Sequence, residues 1–428
     1  MSGSISGALL RIHLVTAGEP LVDDRPDIRL HRTGQLALWL AARGHYVTWV
    51  TNRFDHFRKV PRSGPDSRNL VPNCDLVMLP SRGYRRNVSL QRLQDHADLG
   101  RAFRERTPEW SRPDVVVAAM PTIELAYESV AWAKRVDAAS IVDIRDLWPE
   151  VLIERVPTIA RWAARVALRG LQAKLDAALE GADAIVSPNV DFVKWGCARG
   201  HRTPGPLELE LPLGYQRREL SEGDRAGATN FWTSHGVRVN DATSAVLVFA
   251  GSLSSQFNFQ PVLDAADLLA GEGVQIVFCG TGEQFAPLRQ AAGERRNIVV
   301  PGWCSYGQLR VLMESAVLGL MPYRQSTNFS VAIPNKAAEY VAHGLPLAWS
   351  LGTGPLSALI AERGLGVSYR DQAVTLADYV RRLCADPGLR SSIREKARAV
   401  FVERFEAEAI HQRFERLLRQ LAEHRKAG

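Results

Sequence analysis

The sequence predicts an α/β protein made of two doubly wound, Rossmann-like parallel-sheet domains. Three observations carry this reading. Short apolar runs alternate with helical patterns along the chain, which is how βαβ units and parallel sheets appear in sequence. The runs fall into two sets, separated by a polar stretch at 216–243 that carries four arginines and glycines at 223, 227 and 236. The length of 428 residues suits two domains of roughly 200 residues each.

The first set of expected strands is 10–16, 46–51, 75–80, 114–119, 140–144 and 184–188. A helix is expected over 33–43, where Leu36 and Leu40 keep helical spacing and Gly44 supplies a stop. The second set is 245–251, 274–280, 297–302, 317–323 and 346–350. A last helix over 403–421 aligns Ile410, Phe414, Leu417, Leu418 and Leu421 on one stripe, which requires a packing partner. The expected organisation is therefore a domain at 1–215, a linker at 216–243, a second domain at 244–402 and a terminal helix at 403–428. In open parallel sheets ligands sit beyond the carboxyl ends of the strands, so two such domains suggest a cleft between facing βα loops.

Composition narrows the function classes. Apolar residues make up 46% and charged residues 23%, as in a globular chain with an ample core. Five dispersed cysteines with no CxxC pair exclude a disulfide scaffold and a zinc ribbon, and fit a reducing cytoplasm. The opening 1–15 has no basic run before its short apolar stretch, which Arg11 interrupts, so it reads as a strand and not a signal peptide. The longest span without a formal charge, 340–361, is broken by Gly344, Pro346, Gly352, Gly354 and Pro355, and reads as a buried segment rather than a membrane helix. Net charge is +7, with 46 arginines to 7 lysines. The excess is small and spread evenly, so nucleic acid is not an expected partner.

The strongest local signal is Ile333-Pro334-Asn335-Lys336-Ala337-Ala338-Glu339, running to Gly344. A helix opening at Pro334 presents amide groups and partial positive charge, which attract phosphate, and Lys336 strengthens that attraction. Glu339 lies one turn on, where a carboxylate can accept both hydroxyls of a ribose. A capped helix with an exposed Lys–Glu pair is the plainer alternative. Gly251 and Ser252 follow one expected strand and Gly280-Thr281-Gly282 the next; small residues let a backbone approach a pyrophosphate, although tight turns need glycine anyway. Trp303 and Cys304 follow a third strand, as a base-stacking surface or simply as core.

In the first half, Asp143, Arg145 and Asp146 cluster after a strand, as candidates for substrate orientation or proton handling or as a salt-bridge network. Gly18, His31 and Arg32 lie where they could frame a second substrate. Arg161, Arg165 and Arg169 recur beside Trp162 and Val166. This basic amphipathic helix suits peripheral contact with an anionic membrane surface, a solvated face being the alternative. No HExxH, Walker loop, GxSxG or metal-ligand cluster occurs, and no metal is expected.

The segments VFAGSLSSQFNF, VFCGTGE, NIVVPGWCSYGQL, VLGLMPY and above all IPNKAAEYVAHGLPL, with IVDIRDLWPE in the first half, resemble glycosyltransferase family 4 of GT-B fold, in its bacterial polysaccharide-building members. The similarity runs over nearly the whole chain. It implies two domains facing across a cleft, the first on the acceptor side and the second binding a nucleotide-sugar, with a UDP-sugar the first candidate. It implies a retaining hexosyl transfer, without a metal or other cofactor, to a saccharide or lipid-linked acceptor in lipopolysaccharide or related synthesis. The implied location is the cytoplasm or the inner face of the plasma membrane. Position by position, Glu339 matches the ribose-binding carboxylate, Trp303 and Cys304 the base-lining segment, Gly251 and Ser252 the diphosphate loop, and Lys336 a neutralising cation. The terminal helix is similar to one that crosses back to the first domain. Val331 stands where members often carry a second Glu, and the usual Arg and Lys are missing from 252–258. A nucleotide-sugar epimerase of the same fold and a non-catalytic partner protein are the rival readings.

Overall fold

The computed structural model describes residues 8–24, 28–241 and 244–427 and resolves into two compact units. Unit 1 comprises Met1–Pro212 with Ala409–Gly428, and unit 2 comprises Leu213–Glu408. The first seven residues of the expected N-terminal domain, the last two of the expected linker and residue 428 lie outside the described residues.

Among its described residues unit 1 holds ten strands: β1 (Arg11–Val15), β2 (Tyr46–Asn52), β3 (Phe54–Asp55), β4 (Val60–Pro61), β5 (Ser67–Val71), β6 (Cys74–Leu79), β7 (Val115–Ala119), β8 (Ala139–Asp143), β9 (Ala184–Ser187) and β10 (Leu209–Glu210). Eight of them form one sheet in the order β10-β9-β8-β7-β1-β2-β6-β5, and β3 pairs with β4 separately. Every pairing in the large sheet is parallel except β5 with β6 at the edge. β7 and β8 are buried at every position, because parallel strands are covered on both faces and so read as unbroken apolar runs.

Unit 2 holds β11 (Ala245–Ala250), β12 (Val274–Cys279), β13 (Ile298–Gly302), β14 (Leu318–Met321), β15 (Leu347–Trp349) and β16 (Gly366–Ser368). Its sheet is wholly parallel, in the order β13-β12-β11-β14-β15-β16. Strand order reverses between β11 and β14, which makes the crevice beyond their carboxyl ends the expected ligand position. In unit 1 the same reversal falls between β1 and β7.

Two expectations change. Residues 216–243 are no linker: they contain the helix Glu222–Ser234, capped by Ser221, whose hydroxyl accepts the Asp224 N–H at 3.1 Å. Only Ala228 and Trp232 of that helix are buried, so its composition stays polar, yet the indole of Trp232 donates to the Gln308 carbonyl at 2.8 Å inside unit 2. The terminal helix spans Ala407–Ala427, not 403–421, because residues Phe401–Phe405 form a separate π-helical turn of unit 2. Its stripe is buried as expected. Phe414, Leu417, Leu418 and Leu421 join Leu10, Ile12, Leu36 and Leu40 in one core of unit 1. Glu415, buried on the same helix, takes Arg43 at 2.8 Å, His45 at 3.0 Å and Arg419 at 2.7 Å. The His45 Nδ1 accepts the Leu10 N–H at 3.0 Å, so Nε2 carries the ring proton that reaches Glu415.

Candidate functional site

The helix Asn335–Ala342 begins beyond β14, at the switch point of unit 2. Pro334 is its N-cap, one position earlier than the first helical residue, and Gly344, at φ +72°, follows its last turn. Tyr340 fastens it. The ring is fully buried, its hydroxyl accepts the Ala250 N–H at 3.1 Å and donates to the Leu320 carbonyl at 3.3 Å, and so ties the helix to β11 and β14. Gly319 leaves room for that ring, since a Cβ there would lie 2.4 Å from it.

Lys336 is four residues before Tyr340 and therefore shares its face. Its ammonium lies 4.8 Å from the Phe249 ring centroid and 5.2 Å from that of Phe257. It rests against the loop after β11 so closely that a Cβ on Gly251 would stand 2.1 Å from Nζ. Gly280 is bare for a different reason: a Cβ there would lie 1.9 Å from the Gly251 carbonyl oxygen. On Gly282 it would lie 2.6 Å from that of Leu253. The two loops are in backbone contact, with the Leu253 N–H donating to Thr281 at 2.9 Å and the Gln284 N–H to Leu253 at 2.8 Å. The structure thus brings Lys336, Gly251, Gly280 and Gly282 together. Ser252 and Gly282 are exposed beside them.

Arg324 is the residue the sequence did not point to. It follows β14, and its Nε donates to the Ser255 carbonyl at 3.2 Å while its own N–H donates to Gln256 at 2.8 Å. A guanidinium therefore stands over the 252–258 loop, which has no cation of its own. Glu339 is half-buried one turn along the helix, and His343 behind it receives the Tyr215 hydroxyl at 3.1 Å. Burial pushes His343 down to about 4, against the opposing pull of Glu339, so this ring is neutral. Trp303 is 54% exposed, enough to offer a stacking face, whereas Cys304 is buried with its thiol 3.6 Å from the Gly302 carbonyl.

In unit 1 the first-half candidates separate. Asp143 is buried at the end of β8, with Arg32 Nε at 3.1 Å and Arg145 Nη2 at 2.8 Å on one oxygen. Arg145 also bonds Glu19, whose carboxylate accepts the Thr33 hydroxyl at 2.8 Å and the Thr33 N–H at 3.1 Å. Burial alone would raise Glu19, but Arg145, His31 and the Thr33 hydroxyl hold it below its ordinary value. This is the salt-bridge network, fixing the β1 loop to the start of the helix Arg32–Ala42. Arg32 belongs to it and donates to the Leu211 carbonyl. Glu19 is its hub, with partners up to 126 positions away along the chain. Gly18, at φ +81°, gives its N–H to Asn52 Oδ1 at 3.0 Å. His31 is exposed at the helix N-cap, and Asp146 is half-buried beyond β8.

The basic helix Arg161–Ala167 buries no residue. Residues 155–174 contain four arginines, one lysine and no acid, with Ile159, Trp162 and Val166 exposed at 87%, 68% and 45%. Among the described residues no helix is long and apolar enough to cross a membrane, and no group of three or more His, Cys, Asp or Glu side chains could hold a metal ion.

Comparison with known proteins gives these features a setting. Residues 244–386 match the family described as "Glycosyl transferases group 1". No curated protein matches the sequence. Among solved structures, a sucrose-phosphate synthase from Thermosynechococcus elongatus aligns at TM-score 0.69 and 18% identity, covering 96% of this chain and 98% of that one. WaaG, a glycosyltransferase involved in lipopolysaccharide biosynthesis, aligns at 0.64 and 17% identity, covering 97% and 100%. Anabaena HepE in complex with UDP aligns at 0.61 and 15% identity, covering 95% and 98%. At these identities the likeness speaks to architecture, and the architecture is GT-B.

Proposed function

We propose that this chain is a nucleotide-sugar-dependent glycosyltransferase, holding the donor in unit 2 and taking an acceptor in unit 1. The observation that carries the reading is the Lys336 ammonium lying on the bare backbone of Gly251 at the switch point of the sheet. A diphosphate there meets an ammonium, unshielded backbone at Gly280 and Gly282, and the Arg324 guanidinium, all charge-complementary to it. Glu339 then accepts the ribose hydroxyls and Trp303 stacks on the base. A UDP-sugar is the preferred donor, in keeping with the UDP-bound neighbour and the group 1 match.

Transfer is read as hexosyl transfer with retention. The acceptor hydroxyl oxygen bonds the anomeric carbon on the face the diphosphate leaves, and the departing phosphate oxygen takes the hydroxyl proton. Lys336 and Arg324 supply positive charge to the leaving diphosphate, so no divalent metal is required and EDTA leaves the rate unchanged. Asp143, Arg145 and Arg32 position the Glu19 loop, while Gly18, His31 and Asp146 border the acceptor's place. The acceptor is a saccharide or lipid-linked glycan of cell-surface polysaccharide synthesis. The acid-free helical stretch 155–174, with Ile159 and Trp162 outward, docks on an anionic bilayer at the cytoplasmic face. Cosedimentation with phosphatidylglycerol vesicles, lost in Trp162→Ser, tests that contact.

The decisive experiment titrates UDP, GDP and dTDP by calorimetry and follows transfer from the best-bound sugar. Lys336→Ala and Glu339→Ala each remove transfer while melting as the parent does; full activity in both refutes the site. Conversion of the donor to an epimer without acceptor, or no nucleotide binding at all, refutes the function.

A further inference from the structure

A second charged constellation lies in unit 1 beyond the ends of β2 and β6, and the salt-bridge network around Glu19 does not use it. Residues 81–94 contain Arg82, Arg85, Arg86 and Arg92 and no acid. Two cations converge on the buried ring of Tyr84: Lys59 Nζ lies 4.6 Å from its centroid and Arg92 Cζ 5.2 Å. Arg92 also covers Trp148 at 4.5 Å. Among the described residues neither cation forms an ion pair with a carboxylate. Arg92 donates to His96 Nε2 at 3.3 Å and to the Asn87 carbonyl at 2.9 Å, and Lys59 donates to the Asn87 side chain.

The neighbouring acids Asp55, Asp95 and Asp98 bond other groups, although the charges of Asp146 and Asp95 act on Arg92. Asp55 accepts the Phe57 and Arg58 N–H groups at 2.8 and 2.9 Å. Asp95 accepts Ser81 at 2.7 Å and Gly83 at 3.0 Å, and Asp98 pairs with Arg82. Burial, and then Arg92, push Lys59 down to about 8 against the opposing pull of Asp55, and burial lowers Arg92 against Tyr84, Asp146 and Asp95. His56 adds a neutral donor. Burial and the surrounding cations push it down to about 3, and its Nδ1 faces the Tyr84 hydroxyl at 2.5 Å and the Lys59 ammonium at 3.5 Å, which leaves Nε2 to carry the proton. Beside it Phe57 is 51% exposed, packed edge-on against His56 at 5.2 Å and His31 at 5.4 Å.

Like charges held together on a buried aromatic are unfavourable until an anion joins them, and an exposed aromatic next to them suits the apolar face of a pyranose. We propose that Lys59 and Arg92 form a phosphate-binding subsite, and that the acceptor is a phosphorylated sugar whose ring lies on Phe57. The acceptor role rests on the glycosyltransferase reading; the phosphate site does not.

The test is calorimetry on the full chain with glucose 6-phosphate, farnesyl diphosphate, glucuronate and glucose, each also run on Lys59→Met and Arg92→Lys. A phosphate-bearing probe is expected to bind at least tenfold more tightly than glucose and glucuronate. Lys59→Met should lose that tenfold, whereas Arg92→Lys, which keeps the charge, should lose less. Preference for glucose 6-phosphate assigns a soluble sugar phosphate, and preference for the diphosphate a lipid-linked one; either supports the subsite. Equal binding of glucose, equal binding of glucuronate, or an unaffected Lys59→Met overturns it. UDP affinity is measured on the same variants. A melting transition of Lys59→Met that matches the parent's shows a folded protein, and phosphate binding without any UDP binding keeps the subsite while sinking the donor site.

Discussion

Gly251 and Gly280 make a controlled pair for testing how the unit 2 loops work. Both sit at φ +139°, so alanine meets the same backbone strain at each, on the order of 1–3 kcal/mol. The obstacles differ. At Gly251 the new Cβ meets the Lys336 ammonium at 2.1 Å, the end of a flexible side chain, which can retreat by about 1.3 Å to ordinary contact. At Gly280 it meets the Gly251 carbonyl at 1.9 Å, and that backbone is held by the Gly251 N–H to Cys279 at 2.9 Å and the Gly280 N–H to Gly302 at 2.7 Å. Parting the loops sacrifices both bonds, at about 1 kcal/mol each or more where a group is left unpaired. Gly280→Ala should therefore be roughly 2–3 kcal/mol less stable than Gly251→Ala, which for a domain of this size is roughly 4–12 °C in Tm. Gly251→Ala, with its ammonium displaced, should lose UDP affinity at least tenfold, about 1.4 kcal/mol, while remaining folded. Differential scanning fluorimetry and calorimetry with UDP read the two effects. Equal losses of Tm, or unchanged UDP affinity in Gly251→Ala, would refute the reasoning.

Other expectations follow from the same geometry. Tyr340→Phe leaves the buried Ala250 N–H without its acceptor and should cost about 1–3 kcal/mol by thermal unfolding, with transfer falling as Lys336 loses its anchor. Glu415→Ala strands Arg43 and Arg419 beside a buried position and should cost about 3–5 kcal/mol, measured by urea unfolding of the full chain. His343, neutral when folded and held down to about 4 by burial, protonates first in the unfolded chain. Its contribution is therefore fully present above the unfolded value near 6.5 and is lost as pH falls towards 4, at up to about 1.4 kcal/mol per pH unit. His343→Gln should flatten the stability profile across that window.

Local signals were legible where one segment contains the whole cause. Pro334 and Gly344 bracket a helix because fixed φ and left-handed freedom act on the residues that bear them, and fully covered parallel strands show as apolar runs. What escaped depends on chain reversals. Arg324 reaches Ser255 only because β14 lies next to β11 in the sheet, so no spacing in the sequence predicts the contact. Glu19 is an ordinary acid in a loop until β8 brings Arg145 to it. The stretch 216–243 reads as a linker because a helix with two buried side chains is polar in composition, and the burial of Trp232 is decided by Gln308, 76 residues on.

The membership of Ala409–Gly428 in unit 1 has a consequence for how the molecule is made. Leu10, Ile12 and Leu40 emerge from the ribosome before unit 2, yet the side chains that seal them, Phe414 to Leu421, are synthesised only after it. Unit 2 is contiguous and can complete its core while the half begun earlier still waits for its final piece. A nascent chain stalled before residue 409 would thus present one finished lobe and one with an open apolar face, a natural target for chaperones.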